Sequence, residues 1–267
     1  MLIIGESING TIPKVSQAIL NKDETFIKEL AKVQVRFGAQ MLDVNAGVGG
    51  SNEVENIVWA VEVVQKEVTV PLMIDSSNVQ AIKAALTVYQ HEEKPIINSI
   101  TAEREKLEAL LPVVAKWKCK IVALCMGDQG IPESVEERLR LATILFEELT
   151  AVSISPKDIY FDPLVLSAGI NPEASMVTFE TLKLIKERFP ESHTICGISN
   201  AGMGLPGRKL INRVFMVLAV ASGLDTVFID VRDRSLISSL YAAMLLTNQD
   251  PYALNYTNAF REKKLEV

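Results

Sequence analysis

Cysteine is nearly missing from this chain of 267 residues: Cys119, Cys125 and Cys196 form an odd, scattered set with no CxxC pair. That excludes a disulfide framework and a structural zinc site, and it predicts a protein of the reducing cytoplasm. Histidine is scarcer still. His91 and His193 are the only two, and neither stands at the end of an apolar run, so imidazole acid–base catalysis is not expected. GxSxG, HExxH and phosphate-loop strings are absent, which removes serine hydrolase, zinc protease and P-loop readings and leaves no expected metal. No stretch approaches the roughly 18 continuous apolar residues of a membrane span. The opening MLIIGESINGTIPK has too short an apolar run, and no basic segment, for a signal peptide. Positive charge is also in deficit, with 27 Lys and Arg against 33 Asp and Glu. A net charge of −6 without a basic cluster argues against a nucleic-acid partner, which needs a concentrated basic surface.

Core-forming residues are plentiful, at 48% hydrophobic with 22% charged, a composition typical of soluble globular chains. Short apolar runs recur at Leu2 to Ile4, Met41 to Val44, Pro71 to Ile74, Pro95 to Ile97, Ile121 to Cys125, Ile159 to Phe161, Thr194 to Ile198 and Thr226 to Ile229. Their starts lie roughly 24 to 39 residues apart, the size of one strand-plus-helix unit. Between them the apolar period becomes helical, as in Ile57, Ala60, Val61 and Val64. Ser77 with Gln80, Ser134 with Glu137 and Asn52 with Glu55 carry helix-start spacing, and Gly38 and Gly223 mark helix ends. Eight such units predict an α/β fold, a closed (β/α)8 TIM barrel filling residues 1–267 as one domain. A doubly wound sheet is the alternative, disfavoured by the count of eight and the lack of a glycine-rich first turn. The segment Leu210 to Ala221 is apolar nearly all round. It predicts a helix buried on two sides and a homodimer, because Val214, Phe215, Leu218 and Ala219 leave little polar surface.

Nearly every apolar run ends in a polar residue: Glu6 and Asn9, Asp43 and Asn45, Asp75, Asn98 and Ser99, Asp128, Asp162, Ser199 and Asn200, Asp230. One Asp after a strand is commonly a cap or turn residue, but in a barrel all of these converge on one mouth. A ring of carboxylates and amides without His or Lys suits a neutral heterocycle that presents paired N–H donors and ring nitrogens, such as a pterin or purine. It does not suit a sugar phosphate, which would want Arg or backbone N–H groups.

The strings LIIGESING, MLDVNAG, MIDSSN, IINSITAERE, YFDPL and GISNAGMGLPGRKLINR fall in this order at successive predicted strand ends. Together they resemble the methyltetrahydrofolate:corrinoid protein methyltransferases of the pterin-binding superfamily, which also holds the folate domain of methionine synthase and dihydropteroate synthase. The resemblance runs from Leu2 to about Leu246. It implies a pterin ring held by Asp75, Asn98 and Asp162, with Asn200 placed near N5 of the folate. It further implies Asp43 and Ser199 in the surrounding polar network and Arg208 near the folate's outer portion. Met203 falls where relatives carry a ligand-touching Gln or Phe. The chain departs from the usual SNVS string at Ala201 and Gly202.

The resemblance implies methyl transfer between tetrahydrofolate and cobalt, in a direction the sequence leaves open. The D-x-H-x-x-G signature of a cobalamin-binding domain is absent around both histidines, so cobalamin is expected on a partner corrinoid protein. Dihydropteroate synthase is the enzyme alternative, weakened because the stretch Ile229 to Asp233 carries no R-x-H anion site. A non-catalytic folate-binding or corrinoid-docking protein is the other alternative, and the presence of Asn200 argues against it.

Overall fold

All eight predicted runs form strands, and each pairs in parallel with its neighbour in chain order until the last closes on the first. The structure is a computed structural model, and it describes residues 1–266. The strands are β1 (Leu2–Asn9), β2 (Met41–Asn45), β3 (Leu72–Asp75), β4 (Ile96–Thr101), β5 (Lys120–Leu124), β6 (Ile159–Asp162), β7 (His193–Gly197) and β8 (Thr226–Ile229). Around them run α1 (Pro13–Leu20), α2 (Glu24–Arg36), α3 (Glu53–Gln65), α4 (Val79–Val88), α5 (Arg104–Trp117), α6 (Val135–Ala151), α7 (Ala174–Arg188), α8 (Arg208–Ala221), α9 (Arg234–Leu246) and α10 (Leu254–Arg261). Among the described residues no helix is long and apolar enough to cross a membrane.

Strand alternation sorts the apolar side chains into two separate cores. Outward residues such as Leu42, Ile74 and Phe161 pack under the helices. Inward residues form a second cluster of Ile4, Met41, Met73, Ile96, Val122, Tyr160 and Ile195, with Leu2 and Phe228 against it. Each fully buried Ile or Met there is worth about 1.5–3 kcal/mol. The inner cluster therefore makes the barrel floor solid and leaves only its upper end open for a ligand.

Local signals explain most element ends. Asn52 accepts a hydrogen bond from the Glu55 N–H, and Ser134 accepts one from Glu137, as their spacing predicts. Gly38 and Gly223 lie just past α2 and α8 at φ +104° and +105°, a conformation glycine adopts without penalty. The cap expected at Ser77 is instead Asn78. Its Oδ1 accepts from both Gln80 and Ala81, while its own N–H is held by Ser76 Oγ at 3.0 Å; α4 accordingly starts one residue later.

The helix expected to be apolar all round is two-faced. Phe215, Met216, Ala219 and Val220 of α8 are buried against the barrel, whereas Leu210, Val214 and Leu218 are about half exposed. Within this chain it is covered on one side only. The other side carries an apolar stripe at i, i+4 and i+8.

Candidate functional site

Two residues beyond the inner apolar layer, the next inward position on each strand is Glu6, Asp43, Asp75, Asn98, Leu124, Asp162, Gly197 or Asp230. Six of these eight carry a carboxylate or amide, so a polar crown sits directly on a hydrophobic floor. Register aligns its members: Asp75 pairs with Asn98 and with Asn45, and Asp162 pairs with Leu124.

A cavity of about 300 Å³ opens over this floor and is lined by Asn98, Asp162 and Asn200, with Met73, Gly197 and Phe228 among its apolar and small walls. That volume is at the lower end for small-molecule pockets, and its mix of few polar groups on an apolar bed is what such pockets use. Gly197 matters to its shape, because a Cβ there would come within 3.4 Å of Asn200 Nδ2. Glycine lets the amide lie close over the end of β7.

Asp75 lines an adjoining cavity of about 210 Å³ that shares Asn98 and Leu124 with the first. A third cleft holds Ser199 and Arg208 together with Glu6, Asn212 and Asp230. Arg208 opens α8 and donates from Nη2 to the Ser199 carbonyl at 3.0 Å, which fixes it over the β7–α8 loop. Asp43 is the deepest member of the crown, opposite Met73 and fully buried, and neither of its oxygens has a hydrogen-bond partner. Met203 is 53% exposed and lines none of these spaces; its carbonyl accepts from Ser167 Oγ. Thus Asn98, Asp162 and Asn200 share one cavity, Asp75 adjoins it, Ser199 and Arg208 stand to one side, and Met203 lies outside.

Burial dominates the electrostatics of the crown. Desolvation, then the charge of Asp230, raises Glu6 to about 7. Desolvation raises Asp162 to about 7 against the opposing effects of the Leu164 N–H and the Arg138 guanidinium. Asp43 is pushed well above its ordinary value by burial and by Asp75 and Glu6. Burial also raises Asp75, with Asn45 Nδ2, 2.9 Å from its Oδ2, pulling the other way. Asp230 is the exception. Burial would raise it, but the fork from Arg232 at 2.8 and 2.9 Å holds it below the usual range. The mouth therefore combines carboxyls that keep a proton near neutrality with one that stays ionised, the separation that acid–base chemistry at one site requires. Glu6, Asn45 and Arg138 belong to this network and were not singled out by sequence; Glu6 and Asn45 were visible only as members of the strand-end series.

Comparison with known proteins gives four findings. The model of the pterin-binding enzyme family matches residues 5–230. A methylcorrinoid:tetrahydrofolate methyltransferase of Eubacterium limosum is 35% identical over 268 residues, covering 99% of this chain and 98% of that protein. The methionine synthase of Mycobacterium leprae is 27% identical over 86% of this chain, which spans 20% of that protein's length. Among solved structures, a Yersinia pestis dihydropteroate synthase with a pterin–sulfa conjugate superposes with a TM-score of 0.63 at 19% identity, covering 93% of each chain. That last likeness is one of fold.

Proposed function

This chain belongs to the pterin-binding enzymes, and from that premise we propose that it moves a methyl group between N5 of tetrahydrofolate and the cobalt of a corrinoid carried by a separate protein. The single cavity lined by Asn98, Asp162 and Asn200 carries the reading, in a chain aligned end to end with a methylcorrinoid:tetrahydrofolate methyltransferase. Asp75, Asn98 and Asp162 take the N–H and ring-nitrogen edge of the pterin, whose apolar face rests on the Met73 and Phe228 floor. Asn45 holds Asp75 from the side, and Asp43 lies in the polar network beside them. Ser199 belongs to the surrounding polar network and Arg208 meets the outer part of the folate, while Met203 lies outside these cavities.

In the direction from folate to cobalt, the N5–methyl bond breaks, its electron pair stays on N5, and the cobalt(I) supplies the pair for the new bond. An amide anion is a poor leaving group, so N5 needs a proton or strong hydrogen bond as the bond breaks. Asn200 is the catalytic residue, because its amide can turn its carbonyl toward an N5–H without itself titrating. The proton reaches N5 through water from the crown, where Glu6 and Asp162 retain protons up to about pH 7. The reverse transfer uses the same groups by microscopic reversibility.

The chain works in this reading as one domain over residues 1–267, in the cytoplasm, and as a homodimer whose contact covers Leu210, Val214 and Leu218. The experiment is to mix the protein with methyltetrahydrofolate and cob(I)alamin and follow the visible spectrum. Formation of methylcobalamin supports the proposal. Condensation of a dihydropterin pyrophosphate with p-aminobenzoate, without methyl transfer, would replace it by a dihydropteroate synthase activity.

A further inference from the structure

Arg138 is the largest fully buried side chain in the molecule. A charge in such a place is ordinarily paired with a carboxylate, yet among the described residues Arg138 forms no ion pair. Its bonds go to neutral oxygens. Nε donates to the Pro132 carbonyl at 3.0 Å, and Nη1 donates to the Pro163 carbonyl at 2.7 Å, the Leu164 carbonyl at 2.9 Å and Thr178 Oγ1 at 3.3 Å. Three segments are thereby joined: the loop before α6, the turn after β6, and α7.

The turn after β6 is the one that presents Asp162. Leu164 sits there at φ +70°, a left-handed conformation disfavoured for a residue with a Cβ. Its carbonyl is gripped by Arg138 and also accepts from Thr178 Oγ1 at 2.9 Å. In that conformation its N–H points back to Asp162 Oδ1 at 2.8 Å. The same guanidinium that holds the carbonyl side of the turn therefore sets the N–H side onto the carboxylate.

We propose that Arg138 is a positioning residue for the pterin-binding reaction: it clamps the Pro163–Leu164 turn so that Asp162 is fixed by the Leu164 N–H. This deepens the functional reading above and rests on it for the identity of the ligand. The groups that bear on Asp162 from the packed elements are Arg138 of α6, the Cys125 thiol beyond β5, the Cys196 thiol of β7 and the Leu164 amide. Of these Arg138 alone is cationic. Burial pushes both thiols upward, so they stay neutral across the working range.

The test begins with the free protein, so that it stands apart from the identity of the ligand. Carbon-13 NMR titration of the aspartate carboxyls, with Asp162 assigned through D162N, is expected to give a midpoint about 7 in the native chain. In R138M the midpoint should rise by at least one pH unit, and at pH 7 the dissociation constant for tetrahydrofolate should weaken tenfold or more. T178V removes the second donor to the Leu164 carbonyl without touching charge; it should lower the melting temperature and move the midpoint in the same direction as R138M by a smaller amount. R138K keeps the charge and loses the planar fork, so hydrogen exchange at the Leu164 amide should quicken at least tenfold in a folded protein. An unmoved Asp162 midpoint in folded R138M overturns the proposal. If R138M does not fold, unchanged Leu164 exchange in R138K overturns it. Failure of the native protein to bind tetrahydrofolate would instead defeat the functional reading and leave the titration result standing.

Discussion

Asn45 Nδ2 donates to Asp75 Oδ2 at 2.9 Å while Asn45 Oδ1 accepts the Gly47 N–H at 3.1 Å. The amide is pinned from both ends, which fixes its orientation and commits one oxygen of Asp75 to the protein. The other oxygen is left for a ligand N–H. Asn45→Ala should therefore raise the Asp75 pKa further and weaken tetrahydrofolate binding by about 1–2 kcal/mol, the scale of a hydrogen bond to a charged group partly replaced by water. Isothermal titration checks this; unchanged affinity would place Asp75 outside the binding edge.

The three anchors make a stronger demand. Asp75→Ala, Asn98→Ala and Asp162→Ala each leave ligand donors or acceptors unpaired in a partly closed cavity, at a cost of roughly 1–3 kcal/mol in affinity. Folate titration of the three variants, with melting curves to confirm folding, measures it. Native affinity in all three would refute the assignment.

Stability should respond to pH through Glu6. Its carboxyl titrates near 7 in the folded chain against 4.5 as the ordinary value, so between those limits the folded state holds more protons than the unfolded one. Stability then falls as pH rises through that window and levels above it. Glu6→Gln should remove the Glu6 part of that slope and stabilise the protein above pH 7 by up to about 3 kcal/mol. Denaturant unfolding at pH 5 and pH 8 compares the two chains, and an equal slope in both would show that Glu6 is not held protonated.

The barrel was legible because its signals are local. Strand runs, helical periodicity and caps such as Ser134 each act within a few residues, and their regular recurrence left one closed architecture as the economical solution. The crown was legible for a related reason, since strand alternation places Asp75, Asn98 and Asp162 two residues beyond Met73, Ile96 and Tyr160. What sequence did not give depends on contacts far along the chain. Arg138 lies 25 residues from Pro163 and 40 from Thr178, and nothing in its helical surroundings marks it as buried. For α8 the two faces were not separable from sequence. Its apolar residues were counted around the helix, but the barrel takes only those on the Phe215 and Met216 side, leaving the stripe of Leu210, Val214 and Leu218 exposed in this chain.

That stripe gives a test of assembly. Leu210, Val214 and Leu218 follow one line down α8, and closed two-fold pairing is the commonest way to cover such a surface. Sedimentation at micromolar concentration should give twice the 29.4 kDa chain mass, and Leu218→Glu should shift it toward monomer. A native protein that sediments only as monomer would contradict the homodimer.

The most direct measurement separates binding from chemistry at Asn200. With methyltetrahydrofolate at saturation and cob(I)alamin supplied, methylcobalamin formation is followed in single turnover for the native chain and for Asn200→Ala, alongside the folate dissociation constant of each. If Asn200 stabilises the proton developing at N5, its loss should slow transfer by roughly 10²- to 10⁴-fold, the usual range for a lost acid–base contribution, with a much smaller change in affinity. An affinity that collapses while the saturated rate stays native, or a native chain that transfers no methyl group in either direction, would contradict the mechanism.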